Sequence, residues 1–270
     1  MIENFVSLGR FLKKLYLCRG MIKAMAIRDV QSRYMGTLGG FVWFIIQPLS
    51  IALVYWFVFS MGFKVKPAGG MPFIVVFLCG LIPWTLFTET LNTSTASIIT
   101  NAHLVTKNIF PTEILPVVSL VSSLFTHILM LLIFLVIMLV NKISFSFFNL
   151  QFFYYLFALC IFSLGLGWFL SSVNVFCKDV GQALSVVLNL WFWATPIVWL
   201  QNILPPHYQF FLKLNPMYYI VDGYRTSFVY HSLIGHNPLQ MLYFWTMSMV
   251  VFVGGAIIFK KLKPEFAEVL

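Results

Sequence analysis

Few residues in this chain are of a type that does chemistry, and those few lie in apolar surroundings. Glu89 and His127 are the titratable side chains inside long hydrophobic runs. An acid or base held at mid-membrane suits a proton relay, and the competing reading is a hydrogen-bonded packing role. Glu89 stands near the end of its run, where a carboxylate can snorkel to the interface, and His127 lies near the middle of its own. Two isolated groups make a poor relay, so packing is the better account. No G-x-x-x-x-G-K-[ST] loop is present to cradle nucleotide phosphates, so the chain is not itself an ATPase. H-E-x-x-H and G-x-S-x-G are absent too. Cys18, Cys79, Cys160 and Cys177 include no C-x-x-C pair and read as small buried hydrophobes. No catalytic, cofactor-binding or metal-ligating residue is assigned, and no enzyme activity is expected.

What remains is recognition by flat apolar surface. The chain has 30 Phe, 11 Tyr and 8 Trp. Trp and Tyr at helix ends are ordinarily interfacial anchors. A minority could line a path and offer flat faces to sugar rings, and Trp43, Trp56, Trp84, Trp191, Trp193 and Trp199 are the candidates.

Such residues must be positioned by elements suited to lipid. Of 270 residues, 60% are hydrophobic and 9% charged, against about 25% charged in a soluble domain. The natural solvent is a bilayer. A helix needs about 20 apolar residues to cross it. Runs near 39–63, 71–91, 114–140, 152–174, 182–200 and 239–259 meet that length or nearly so. Backbone groups in lipid must bond internally, and these runs lack the short alternating pattern of barrel strands, so they read as six helices. The fold class is therefore all-α and polytopic. Residues 1–35 form a separate interface region, and 36–270 form one transmembrane domain. In the first region Phe5, Leu8, Leu12, Leu15 and Tyr16 repeat at helical spacing with Arg10, Lys13 and Lys14 on another side. That is an amphipathic basic helix for a membrane surface; the alternative is a soluble partner-binding helix. No cleaved signal peptide is expected at the start.

The net charge of +9 reads as loops held near anionic lipid rather than as nucleic acid binding. With the N-terminus inside, the inner segments hold Arg10, Lys13, Lys14, Arg19, Lys23, Arg28, Arg33, Lys107, Lys178, Lys260, Lys261 and Lys263, twelve in all. The outer ones hold five: Lys64, Lys66, Lys142, Lys213 and Arg225. Both termini are expected in the cytoplasm.

Two connections are unusual. Residues 201–236 carry Pro205, Pro206 and Pro216 among apolar residues such as Phe210, Phe211, Tyr218 and Tyr219. They read as two short helices dipping part-way into the protein, which is tolerated where protein or water covers the turns. Residues 101–111 carry Leu104, Val105, Ile109 and Phe110 beside Lys107, in a connection too short for its own core. Those side chains sink into the interface or meet a partner. Asn101 can cap a short helix there, and Pro111 disfavours helix at Phe110.

The order of short motifs is informative. Arg28-Asp29 and Arg33-Tyr34 lead to Leu38-Gly39-Gly40-Phe41-Val42-Trp43 and Gln47-Pro48-Leu49. Then come Val54-Tyr55-Trp56-Phe57-Val58-Phe59, Gly80-Leu81-Ile82-Pro83-Trp84, Asn101-Ala102-His103-Leu104-Val105 and Lys107-Asn108-Ile109-Phe110-Pro111. Asn174-Val175-Phe176, Lys178-Asp179, Thr195-Pro196-Ile197 and Asn215-Pro216-Met217 follow. The whole chain resembles the ABC-2 type transporter permeases that export polysaccharides and polyol phosphates, such as O-antigen, capsule or teichoic acid. The runs Val54–Gly62 and Gly80–Trp84 read slightly closer to the teichoic-acid branch.

The resemblance implies a homodimer in a bacterial cytoplasmic (inner) membrane, with two copies of a separate ABC ATPase that bind ATP and Mg. This chain would bind no cofactor of its own. A lipid-linked polymer would pass through a tunnel between protomers. Asn101, Leu104, Val105, Lys107 and Phe110 would belong to the segment that docks on the ATPase. Tyr218 and Tyr219 would belong to an outer gate. A same-fold alternative is an exporter of a drug or small lipid, which more often carries large outer domains or a fused ATPase. A more remote one is an ion-coupled secondary transporter, which would show more intramembrane charge or broken helices in two matching halves. A membrane-embedded transferase would need a cluster of acids or histidines at one face, and the sequence has none.

Overall fold

The computed structural model describes residues 9, 13–34, 42–62, 71–106, 110–205, 207–235 and 237–270. Phe5, Leu8, Arg10, Leu12, Lys64, Lys66, Lys107 and Ile109 lie outside them, as do Gly39 and Gly40. The described residues contain helices, turns and loops and no strand, as expected where the backbone must satisfy its own hydrogen bonds.

Helix α1 is Arg19–Tyr34 and α2 is Val42–Trp56, continued by a π-helical turn over Phe57–Gly62. Next come α3 (Phe73–Thr100), the single turn α4 (Ala102–Val105) and α5 (Leu115–Val140). They are followed by α6 (Phe152–Phe176), α7 (Asp179–Ala194), and the short α8 (Gln209–Leu214) and α9 (Pro216–Arg225). The chain closes with α10 (Pro238–Leu262) and the turn α11 (Phe266–Val269).

Among the described residues, four helical stretches are long and apolar enough to cross a bilayer: Phe73–Thr100, Thr112–Val140, Phe147–Phe176 and Pro238–Val269. They match four of the six expected spans. The other two are not among these four. The 182–200 run is helical only to Ala194, because Thr195 precedes Pro196 and takes an extended backbone (φ −100°, ψ 134°). Sixteen helical residues rise about 24 Å, short of a hydrocarbon core of about 30 Å. The first run is helical throughout the described residues Val42–Gly62, and its expected ends at 39 and 63 lie outside them.

Helix α3 is the centre, packed by α5, α6, α7 and α9. Lipid gives no hydrophobic reward for joining helices, so contact must come from close fit and hydrogen bonds. The α6–α10 crossing shows this. A Cβ on Gly255 would stand 2.1 Å from the Gly165 carbonyl oxygen, and one on Gly165 would stand 2.6 Å from Phe252 Cα. Only glycine permits that approach.

Helix α1 is more than a surface float. Ile22 and Ala26 are buried against Ile114 and Val118 at the start of α5. Before it, Lys14 Nζ lies 2.5 Å from the Glu113 carboxylate, and Lys263 Nζ meets the other oxygen at 2.5 Å. The Trp168 indole N–H donates to the Glu113 carbonyl at 3.1 Å. The N-terminal segment, the 101–114 connection and the C-terminal tail therefore share one face of the molecule. That agrees with an even number of crossings.

Residues 201–235 hold two short helices as expected, but they differ in burial. Helix α8 exposes Phe210 and Phe211, whereas α9 is buried over most of its length against α3, α6 and α10. Arg225, expected in an outer loop, is 5% exposed. Its guanidinium donates to the carbonyls of Ile197 (2.9 Å) and Val76 (3.4 Å). The non-helical break at 195–200 frees a carbonyl, and the arginine satisfies it.

Candidate functional site

A groove of about 400 Å³ runs between α2, α3 and α7. Tyr55, Trp84 and Phe192 make its aromatic wall, with Phe192 5.9 Å from Tyr55 and 5.7 Å from Trp84, ring centre to ring centre. Thr85, Thr88 and Asn92 of α3 and Ser185 and Asn189 of α7 supply polar groups. The first three stand at i, i+3 and i+7 and the last two at i, i+4, so each set forms one stripe on an apolar helix. Sequence reasoning that weighed only the tryptophans missed these residues. The polar stripe was the signal that could have found them. Aromatic faces beside hydroxyls and amides suit a ligand that is both ring-shaped and hydroxylated.

Of the six tryptophans, Trp84 lines the groove. Trp43 and Trp193 are exposed on the outer faces of α2 and α7, alongside Ile46, Leu53, Val54, Val186 and Leu190. Trp56 is half-buried. Trp191 stands behind the wall, edge-on to Trp84 with centroids 6.5 Å apart. Trp199 donates to the Trp193 carbonyl at 3.1 Å.

Trp191 is fixed by Asn215, whose side-chain oxygen accepts from the Trp191 indole N–H at 2.8 Å and from Met217 N–H at 2.9 Å. The Asn215 amide donates to Thr195 Oγ1 at 2.8 Å. The Thr195-Pro196 and Asn215-Pro216 motifs are thus one joint, in which the cap of α9 is bonded to the break after α7. Tyr218 donates to Gln201. The Tyr219 and Tyr154 hydroxyls are 3.0 Å apart, and Trp245 donates to Tyr154 at 2.7 Å. Both Tyr218 and Tyr219 are buried packing residues.

The segment expected to dock on a partner is partly turned inward. Among the described residues of this connection only Ala102–Val105 is helical, and 107–109 lie outside them. Asn101 does not cap it; its amide donates to the Ser97 carbonyl at 2.9 Å, closing α3. Val105 is buried and Phe110 packs on the chain's own core, beside Leu115 and Ile114. Leu104 is half-buried, His103 and Thr106 are exposed, and Lys107 lies outside the described residues.

Glu89 is paired within the chain. Its carboxylate accepts from Arg33 of α1 and, at 3.2 Å, from Thr126 of α5. Arg33 also bridges to Asp29 at 2.8 Å. Burial works against the Arg33 charge, and the carboxylates of Asp29 and Glu89 outweigh it, raising its pKa. His127 is 1% exposed, with Nε2 3.2 Å from the Tyr224 hydroxyl. Glu89 and His127 thus have different partners and do not bond to each other. No group of three His, Cys, Asp or Glu that could hold a metal occurs among the described residues.

The sequence matches the family described as ABC-2 type transporter over residues 21–229. The chain is 28% identical over 261 residues to the O-antigen export system permease protein RfbA of Myxococcus xanthus, covering 96% of this chain and 98% of that one. It is 27% identical over 246 residues to the protein of the same name from Klebsiella pneumoniae, covering 90% and 92%. The polysialic acid transport protein KpsM of Escherichia coli is 22% identical over 241 residues, covering 87% and 91%.

Proposed function

Because the chain belongs to the ABC-2 type transporter family, we propose that it is the membrane-spanning permease subunit of an ATP-driven exporter of a lipid-linked cell-surface polysaccharide. Two copies associate along the exposed faces of α2 and α7, and the polymer passes along the grooves they enclose. A separate ABC ATPase supplies hydrolysis and docks at the 101–111 connection, where His103 and Thr106 are the described residues facing outward. The buried α9, with Tyr218 and Tyr219, forms the frame of an outer gate. The relatives named above handle O-antigen and polysialic acid, so a polysaccharide, rather than a polyol phosphate, is the substrate class taken.

The observation that carries this reading is the groove. Its aromatic wall and hydroxyl stripe form a surface for sugar rings, and they open beside two apolar faces that no part of the described chain covers. The test is loss of the gene, scored by surface glycan. The polymer should disappear from the cell surface and accumulate, still lipid-linked, on the inner side. Restoration with Trp84→Ala, or with Asn92→Leu and Asn189→Leu together, should give at most about a tenth of wild-type export at equal membrane abundance. Normal surface glycan in the deletion strain would sink the assignment.

A further inference from the structure

A second cavity, about 210 Å³, lies on the face shared by the termini, between α1, α3 and α5. It is built differently from the aromatic groove, because its lining is mostly polar. Ser32, Thr93, Ser97 and Thr100 contribute hydroxyls. Each is already donating to a carbonyl of its own helix: Ser32 to Asp29 (2.9 Å), Thr93 to Glu89 (2.7 Å), Ser97 to Ser94 (2.7 Å) and Thr100 to Ala96 (3.0 Å). With their hydrogens committed, these groups offer lone pairs to whatever fills the space. Asn101 adds a carbonyl oxygen, since its amide is bonded to Ser97. The cavity is therefore rich in acceptors.

Its charges are balanced. Arg28 and Asp29 line it, and Asp29 is bonded through one oxygen to Arg33, which also holds Glu89. One cation and one carboxylate line the cavity, and the Arg33–Glu89 pair joined to Asp29 adds no net charge, so neither a simple anion nor a simple cation is favoured. Arg28 has no ion-pair partner among the described residues and is exposed at the cavity. A fitting ligand therefore presents an anionic group to Arg28 and an N–H-rich cation to the acceptors. Met25, Leu115 and Val118 add apolar surface, and Ser119 a further hydroxyl.

We propose that this cavity binds the headgroup of an aminophospholipid. The phosphate meets Arg28, the primary ammonium enters among the hydroxyl oxygens beside Asp29, and the glycerol end rests on the apolar wall. A bound lipid would then sit at the joint between α1 and the spans it packs against. The assignment stands on cavity chemistry alone and does not depend on what the protein exports.

The test uses the purified full chain and native mass spectrometry, with phosphatidylethanolamine, phosphatidylcholine and phosphatidylglycerol of matched acyl chains. Phosphatidylethanolamine should be retained about tenfold more strongly than phosphatidylcholine, which has the same phosphate but no N–H donor, and more strongly than the anionic lipid. A tenfold preference corresponds to about 1.4 kcal/mol. Arg28→Gln, at an exposed position, should lower retention about tenfold, and the near-isosteric Thr100→Val should weaken ethanolamine binding without affecting choline. Equal retention of the three lipids, or a preference for phosphatidylglycerol, would overturn the proposal. So would unchanged retention in both variants, or soluble phosphoethanolamine binding as well as the lipid.

Discussion

Asn215 concentrates more of the structure than any other single polar side chain near the groove. It satisfies Trp191, Thr195 and the cap of α9 at once. A buried donor left unpaired costs about 1–3 kcal/mol. Asn215→Leu orphans two donors, so we expect it to destabilise the fold by roughly 2–6 kcal/mol, read as a lower midpoint of thermal unfolding in detergent. An unchanged midpoint would mean that the joint is not holding α7 to α9. The Asn-Pro pair is visible in the sequence as a helix start. Its bond to a threonine twenty positions earlier is not, because nothing in a linear pattern pairs two turns that meet only after folding. Arg225 shows the same limit. Counted as outer-loop charge, it is a buried donor to the carbonyls of Val76 and Ile197, a role set by the break at Pro196 in another element.

Among elements, the four long spans and the short pair α8–α9 were readable, because run length and proline placement are local properties. The early stop of α7 was readable only in part: Pro196 disfavours helix just before it, yet the apolar run continues to Leu200. The docking of α1 on α5 was hidden, since Ala26 carries no amphipathic signal while being fully buried. The Glu113 clamp ties three elements together. Both lysines reach solvent, Lys14 more than Lys263, so Glu113→Ala frees them rather than stranding buried charge, and the loss is about 1 kcal/mol per pair at most. We expect the substitution to raise hydrogen exchange across 13–34 and 263–270, with Lys263→Ala producing a smaller change confined to the tail. Equal, unaltered protection in Glu113→Ala would refute the clamp. The 101–111 connection calls for a separate substitution. Phe110 packs inward, so Phe110→Asp is expected to lower stability. His103→Asp is the cleaner probe of partner docking, expected to reduce ATPase co-purification while leaving membrane abundance unchanged.

At the scale of the whole molecule, the exposed apolar faces of α2 and α7 and the shared face of the two termini are the features that reach beyond one chain. A cysteine at Leu190 is expected to cross-link to a second copy, and one at Leu132, on the exposed side of α5, is not. Cross-linking at neither site, with a monomer by native mass spectrometry, would exclude the dimer. Reporter fusions at the C-terminus should read cytoplasmic, and fusions at Lys142 external; the reverse would invert the molecule. The Gly165–Gly255 contact has a mechanical meaning. Two helices that touch backbone to backbone at one point, with ring pairs Phe162–Phe244 and Trp168–Phe252 interlocked along the same seam, resist both sliding and pivoting. Helices α6 and α10 therefore form a stiff mast. If the protein opens a passage as proposed, the mast stays whole and the movement is expected in α2 and α7, whose apolar outer faces carry no such contact among the described residues.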